Sequence, residues 1–180
     1  MRRCFWVDEN SQIYKDYHDN EWGMPKYDDH ELFELLILES FQAGLSWITV
    51  LKKREAFRKA FDNFDVKKVA KYDGAKIEEL LQNSGIIRSR SKIEAAINNA
   101  KIFKKIQEDF GSFSNYIWGF TGGKIIKNKD DKFEVSTPLS DKISKDLKKR
   151  GMKYVGTVII YSYLQSIGIV DDHETTCFKY

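Results

Sequence analysis

The chain is poor in the residues that define several protein classes. In 180 residues it has two cysteines, two prolines, three histidines and three methionines. Two cysteines cannot staple a small disulfide scaffold. Prolines only at positions 25 and 138 leave long stretches free to be helical. No apolar run approaches the roughly 20 residues of a membrane-spanning helix. The densest covers residues 35–38, with Phe41 beyond. The opening MRRCFWVDEN lacks the apolar stretch of a secretion signal. These absences predict a soluble, cytoplasmic, single-domain chain over residues 1–180 with no membrane partner. Nothing demands more than a monomer.

The scarce residues are not scattered. Cys4 and His18 lie near the start, and His173 and Cys177 lie near the end in the spacing H-x-x-x-C. Thiolate and neutral imidazole suit a tetrahedral zinc ion, and two of each would close its shell with no open position. Spacing alone leaves two alternatives standing: buried free thiols with surface histidines, or a Cys4–Cys177 disulfide.

Charge is also unevenly placed. Residues 86–154 hold 16 Lys+Arg against 8 Asp+Glu, on a chain whose formal net charge is only +3. A basic middle on an otherwise acidic chain suits a polyanion, although solvated lysine-rich helix faces give the same count.

Helical periodicity dominates, and the predicted class is all-α. Asp28, with Glu31 three residues on, opens a helix that is apolar on nearly every side and stops near Gly44. Further helices are expected over residues 52–61, after Asp65, over 73–81 with Gly85 ending it, and from Ser89 or Ser91 to about 106. Another runs from a Ser140 cap to Arg150-Gly151, and a last one starts at Thr157. The polar stretch 121–135 reads as an exposed loop or a short hairpin. Two turns, at residues 84–92 and 148–157, each combine glycine, bared N–H groups at a helix start, and several cations. Such turns can grip phosphate.

Glu39 is the odd residue in the apolar helix. A carboxylate there is costly unless it is paired, hydrogen-bonded or protonated. An ion pair with a nearby cation would explain it. So would a pocket, because Trp6, Tyr14, Tyr17, Trp22 and Trp47 all fall in the first 47 residues. Flat rings around one acid offer stacking faces and an acceptor to a planar base.

The segments YHDNEWG (17–23), QAGLSWITVLKKRE (42–55), GIIRSRSKI (85–93) and LKKRGMKYVGT (147–157) resemble the DNA-3-methyladenine glycosylase I family of bacterial alkylation repair. The likeness runs from Cys4 to Cys177. It departs at Phe41, where enterobacterial members carry Gln. The resemblance implies a helix-hairpin-helix glycosylase that excises 3-methyladenine from double-stranded DNA. The products would be the free base and an abasic site, without strand cleavage. It implies a structural zinc on Cys4, His18, His173 and Cys177 that clips the termini. It implies a base pocket of Trp6, Tyr14, Tyr17, Trp22, Glu39 and Trp47, with Glu39 catalytic. The loop Ala43-Gly44-Leu45 would press on the base stack. Arg88, Arg90, Lys92, Lys149, Arg150, Gly151, Lys153 and Gly156 are the expected backbone contacts. Residues 1–47 with the termini would form a zinc and pocket lobe, and about 48–165 a helical, DNA-gripping lobe. Asp171, in Val170-Asp171-Asp172-His173, resembles a superfamily catalytic Asp but is expected to be structural here.

Overall fold

A computed structural model describes residues 1–127 and 129–180. Among them the chain forms α1 (Gln12–Asn20), α2 (Asp29–Gln42), α3 (Trp47–Ala60), α4 (Val66–Val69), α5 (Gly74–Gln82), α6 (Arg90–Phe110) and α7 (Phe113–Gly119). After these come β1 (Ile126–Lys127), α8 (Pro138–Lys149), α9 (Thr157–Ser166) and β2 (Val170–Asp171). The predicted helical class holds, and two short helices, α1 and α7, add to the expected set.

Helix starts follow their caps. Asp28 accepts from the N–H groups of His30 and Glu31, Asp65 from Lys67 and Lys68, and Asp73 from Lys76. α3 starts at Trp47, five residues before the expected Lys52. α8 starts after Thr137 rather than at Ser140. Thr137 accepts from the Ser140 N–H, the Ser140 hydroxyl accepts in return, and Pro138 fits the first turn. Gly85 does not end α5. That helix stops at Gln82, and a Cβ at Gly85 would lie 3.0 Å from the Ala56 Cβ, so glycine there permits close packing against α3.

The stretch expected as a loop or hairpin is neither throughout. Ile126 and Lys127 pair in parallel with Val170 and Asp171. The expected loop also covers Asn128, which lies outside the described residues. The strand pair attaches this segment to the C-terminal one.

α2 is the central element, with residues Leu32 to Phe41 all buried. It packs on α3, α6, α7 and α9. The main core is aliphatic and aromatic. Phe103 stacks on Phe113 at 4.0 Å and meets Phe33 edge-on at 5.1 Å. A second, smaller cluster of Cys4, Tyr17, Trp22, Leu51 and Cys177 forms where the two ends of the chain meet. There the Phe178 N–H donates to the Arg2 carbonyl at 2.9 Å. No helix among the described residues is long and apolar enough to cross a membrane.

Candidate active site and metal centre

One cavity, of about 260 Å³, brings together all six expected pocket residues: Trp6, Tyr14, Tyr17, Trp22, Glu39 and Trp47. One ordered water needs only about 10–15 Å³ of such accessible space, so the cavity admits a group of base size. α1 supplies the tyrosines, α2 the acid and the start of α3 Trp47. Trp6 meets Trp22 edge-on at 5.0 Å and Tyr14 at 5.7 Å, while Tyr17 tilts against Trp47 at 5.5 Å. Gln42, Phe133, Ser162 and Gln165 complete the lining. Sequence reasoning missed these four. Ser162 and Gln165 come from α9, and Phe133 from the segment read as an exposed loop or a short hairpin. Only Gln42, one helical turn after Glu39, carried a usable signal.

Glu39 is 3% exposed. Among the described residues it makes no ion pair that could explain it, and its Oε2 has no hydrogen-bond partner. The buried Trp47 Nε1–H, close to the Tyr17 hydroxyl, makes no well-formed hydrogen bond either. Burial raises the Glu39 carboxyl from 4.5 to about 8. Burial also raises the Tyr17 hydroxyl well above its ordinary range. The cavity thus presents a neutral acid, an unfilled acceptor and an unfilled donor between aromatic faces. Apolar walls with a few convergent polar groups bind small planar ligands.

Cys4 and Cys177 are buried free thiols, so the disulfide alternative is not realised. The surface-histidine alternative also fails, since His18 and His173 are buried. Ligand atoms of Cys4, His18 and Cys177 all lie within 4.8 Å of one another. His173 stands just beside this group, its ring centroid 5.2 Å from that of His18. Each histidine gives its Nδ1–H to a carboxylate: His18 to Asp19 at 2.8 Å, His173 to Asp171 at 2.6 Å. That leaves both Nε2 atoms as lone-pair donors, the arrangement of metal-ligating histidines. The His173 Nε2 is buried and has no partner. Gly23 is required beside it, because a Cβ there would lie 2.6 Å from the His173 Cε1. Two thiols, one imidazole nitrogen beside them and a second orphaned imidazole nitrogen fit a thiophilic divalent ion. Asp171 orients His173 and does not line the cavity.

The two basic turns lie side by side. Ser91 and Tyr154 share a hydrogen bond of 2.8 Å between hydroxyls. The Asn99 amide holds residue 153 at both its N–H and its carbonyl. Arg88, Lys149, Gly151 and Lys153 are exposed. Arg90 pairs with Glu78, and Arg150 with Asp146. Lys92 points inward, donating to the carbonyls of Phe41 at 2.9 Å and Ala43 at 2.6 Å. Gly44, at φ +78°, and Leu45, 40% exposed, project just beyond those carbonyls.

The sequence pattern of the methyladenine glycosylase family matches residues 6–180. The chain belongs to that family. It is 49% identical to the DNA-3-methyladenine glycosylase of Haemophilus influenzae over 178 residues, 97% of this chain and 96% of that one. It is 45% identical to DNA-3-methyladenine glycosylase 1 of Escherichia coli K12, covering 100% of this chain and 97% of that one. Among solved structures it superimposes, at a TM-score of 0.94 and 37% identity, on a Tyr-to-Phe variant of a 3-methyladenine DNA glycosylase I in complex with 3-methyladenine, covering 99% and 97% of the two chains.

Proposed function

We propose that the aromatic cavity around Glu39 receives 3-methyladenine flipped out of alkylated double-stranded DNA. The chain is a DNA-repair glycosylase that hydrolyses the N-glycosidic bond of this base. The observation that carries the assignment of the site is the unsatisfied Glu39 Oε2, with the Trp47 Nε1–H beside the same cavity, among edge-on and tilted aromatic rings.

The methylated base carries a positive charge in DNA, so its bond to the sugar is already weak and needs no acid. Flipping costs a few kcal/mol, less for a damaged base. Trp6, Tyr14, Tyr17, Trp22 and Trp47 enclose and stack on the ring. Glu39, whose carboxyl burial raises to about 8, passes its proton to solvent as the cationic base enters. The carboxylate then accepts from the base N–H and stabilises positive charge as the bond to the sugar breaks. The base leaves neutral with the electron pair of the broken C–N bond, water adds to the sugar carbon, and its surplus proton passes to solvent. No lysine lines the cavity among the described residues, so no Schiff base forms and the abasic strand stays intact.

The turns at 84–92 and 148–157 act as helix-hairpin-helix grips on the phosphate backbone. They use Arg88, Arg90, Lys149, Arg150 and Lys153 with N–H groups near Gly151 and Gly156. Such contacts position without reading sequence. Gly44 and Leu45 fill the gap left by the flipped base. The lobe built from 1–47 and the termini carries the rings and the acid of the pocket, while residues 48–165 carry the grips and add Phe133, Ser162 and Gln165 to the pocket wall. Cys4, His18, His173 and Cys177 would hold one structural zinc. A closed four-ligand set supplies fastening and no activated water.

Incubation with methylated duplex DNA and chromatography of released bases tests the reading. 3-Methyladenine should appear with unbroken strands. Binding without release would leave only a DNA-binding module.

A further inference from the structure

Lys92 sits in the first basic turn region yet does not face solvent as a phosphate ligand would. Its ammonium is partly buried and donates to the carbonyls of Phe41 and Ala43. These lie at the C-terminal end of α2, where carbonyls lack partners in the helix and the dipole favours a cation. Ala43 is the cap residue, with non-helical φ −46° and ψ 118°. The next two residues are Gly44 and Leu45. Two residues before Phe41 lies Glu39. Lys92 therefore links the start of α6 to the point where the pocket helix gives way to the projecting loop. The Tyr154 ring of the second turn lies 6.0 Å from its ammonium, so both turns converge on this contact.

We propose that Lys92 is a positioning residue: it sets the Ala43-Gly44-Leu45 loop relative to the two phosphate grips, so that gripping DNA aligns the loop with the base to be expelled. The proposal rests on the glycosylase reading above. It assigns Lys92 no contact with DNA or base. A loop displaced by about 1 Å can cost about 10²-fold in rate.

The test compares Lys92→Met with the wild type in three measurements. They are single-turnover release of 3-methyladenine, affinity for free 3-methyladenine by tryptophan fluorescence, and DNA affinity against salt. The expected result is a release rate lowered by about 10- to 100-fold, with base affinity and the slope of log affinity on log salt unchanged. A slope shallower by about 0.9 would make Lys92 a phosphate contact and overturn the proposal. An unchanged release rate, whatever the melting temperature, would overturn it too, as a purely structural cap predicts that result. Lys92→Arg, which keeps cationic donors, should recover most of the rate. If the methionine variant does not fold, Lys92→Gln, a neutral and shorter side chain, takes its place in the same three measurements and is read by the same criteria. Failure of the glycosylase reading itself would show separately, as no base release by the wild type.

Discussion

The main core and the terminal cluster solve burial in opposite ways. Within the main core, away from the cavity, buried polar side chains are matched: Ser40 to the Leu36 carbonyl, Ser144 to that of Val155, Ser166 to that of Tyr163, and Asn99 to residue 153. Around the cavity and the meeting of the termini, three buried polar atoms have no hydrogen-bond partner among the described residues: Glu39 Oε2, Trp47 Nε1 and His173 Nε2. An unmatched buried group costs about 1–3 kcal/mol. One region spends its polar groups on stability, and the other keeps them open for something that is not protein. Strain concentrated this way marks a site more sharply than cavity shape does.

The contrast can be tested by disturbing each region and reading the other. Phe103→Ala, in the core, should lower stability by about 3–5 kcal/mol. Base release below the melting temperature should persist, and a release defect matching the stability loss would show that the two regions are not separable. Glu39→Gln should do the reverse, lowering release by about 10²–10³-fold while the fold persists. Its carboxyl titrates at about 8 when folded against 4.5 when free. Below 4.5 both folded and unfolded chains hold the proton, and between 4.5 and 8 only the unfolded chain releases it. Glu39 therefore costs stability increasingly as pH rises through that window, and the cost levels off above it. Melting curves should show the glutamine variant gaining on the wild type from pH 4.5 to 8; parallel curves would reject the buried neutral acid. The smallest effect belongs to Asp171→Asn, which removes the carboxylate from His173 Nδ1. Metal affinity, read by competition with a chelator, should fall about 10- to 100-fold. Metal analysis of the untreated protein should give about one zinc per chain.

Much of this was legible in the residues. The cap at Asp28, the all-round apolar α2 and the misfit of Glu39 within it are local signals, and the acid is indeed buried on that helix. Rings near that acid in sequence were also near it in space. What stayed hidden depends on distant partners. Ser162 and Gln165 lie on α9, whose pattern reports only that it is apolar. Phe133 lines the cavity with its ring against Phe5, a residue far away in the chain, and the neighbouring two-residue strands leave no periodicity to read. Lys92 looks in sequence like any cation of a phosphate grip. Its inward turn follows from the open carbonyls of α2, which only the packing of α6 brings within reach.

The metal-ligand and pocket contacts also carry a schedule. The Cys177 thiol and His18, 3.4 Å apart, are separated by 159 positions in the chain, and Phe5 and Glu174 by 169. Contacts this remote along the chain form late, because their loops must close before they reward closure. During synthesis the α2–α3 pairing can form early, while the site must wait for residues 157–177 to emerge. A chain cut off before α9 would lack one wall of the cavity and half the thiol–imidazole set. Such a fragment could hold the first basic turn and still be unable to remove a base, so the capacity to cut glycosidic bonds arrives only once α9 and the His173–Cys177 segment are made.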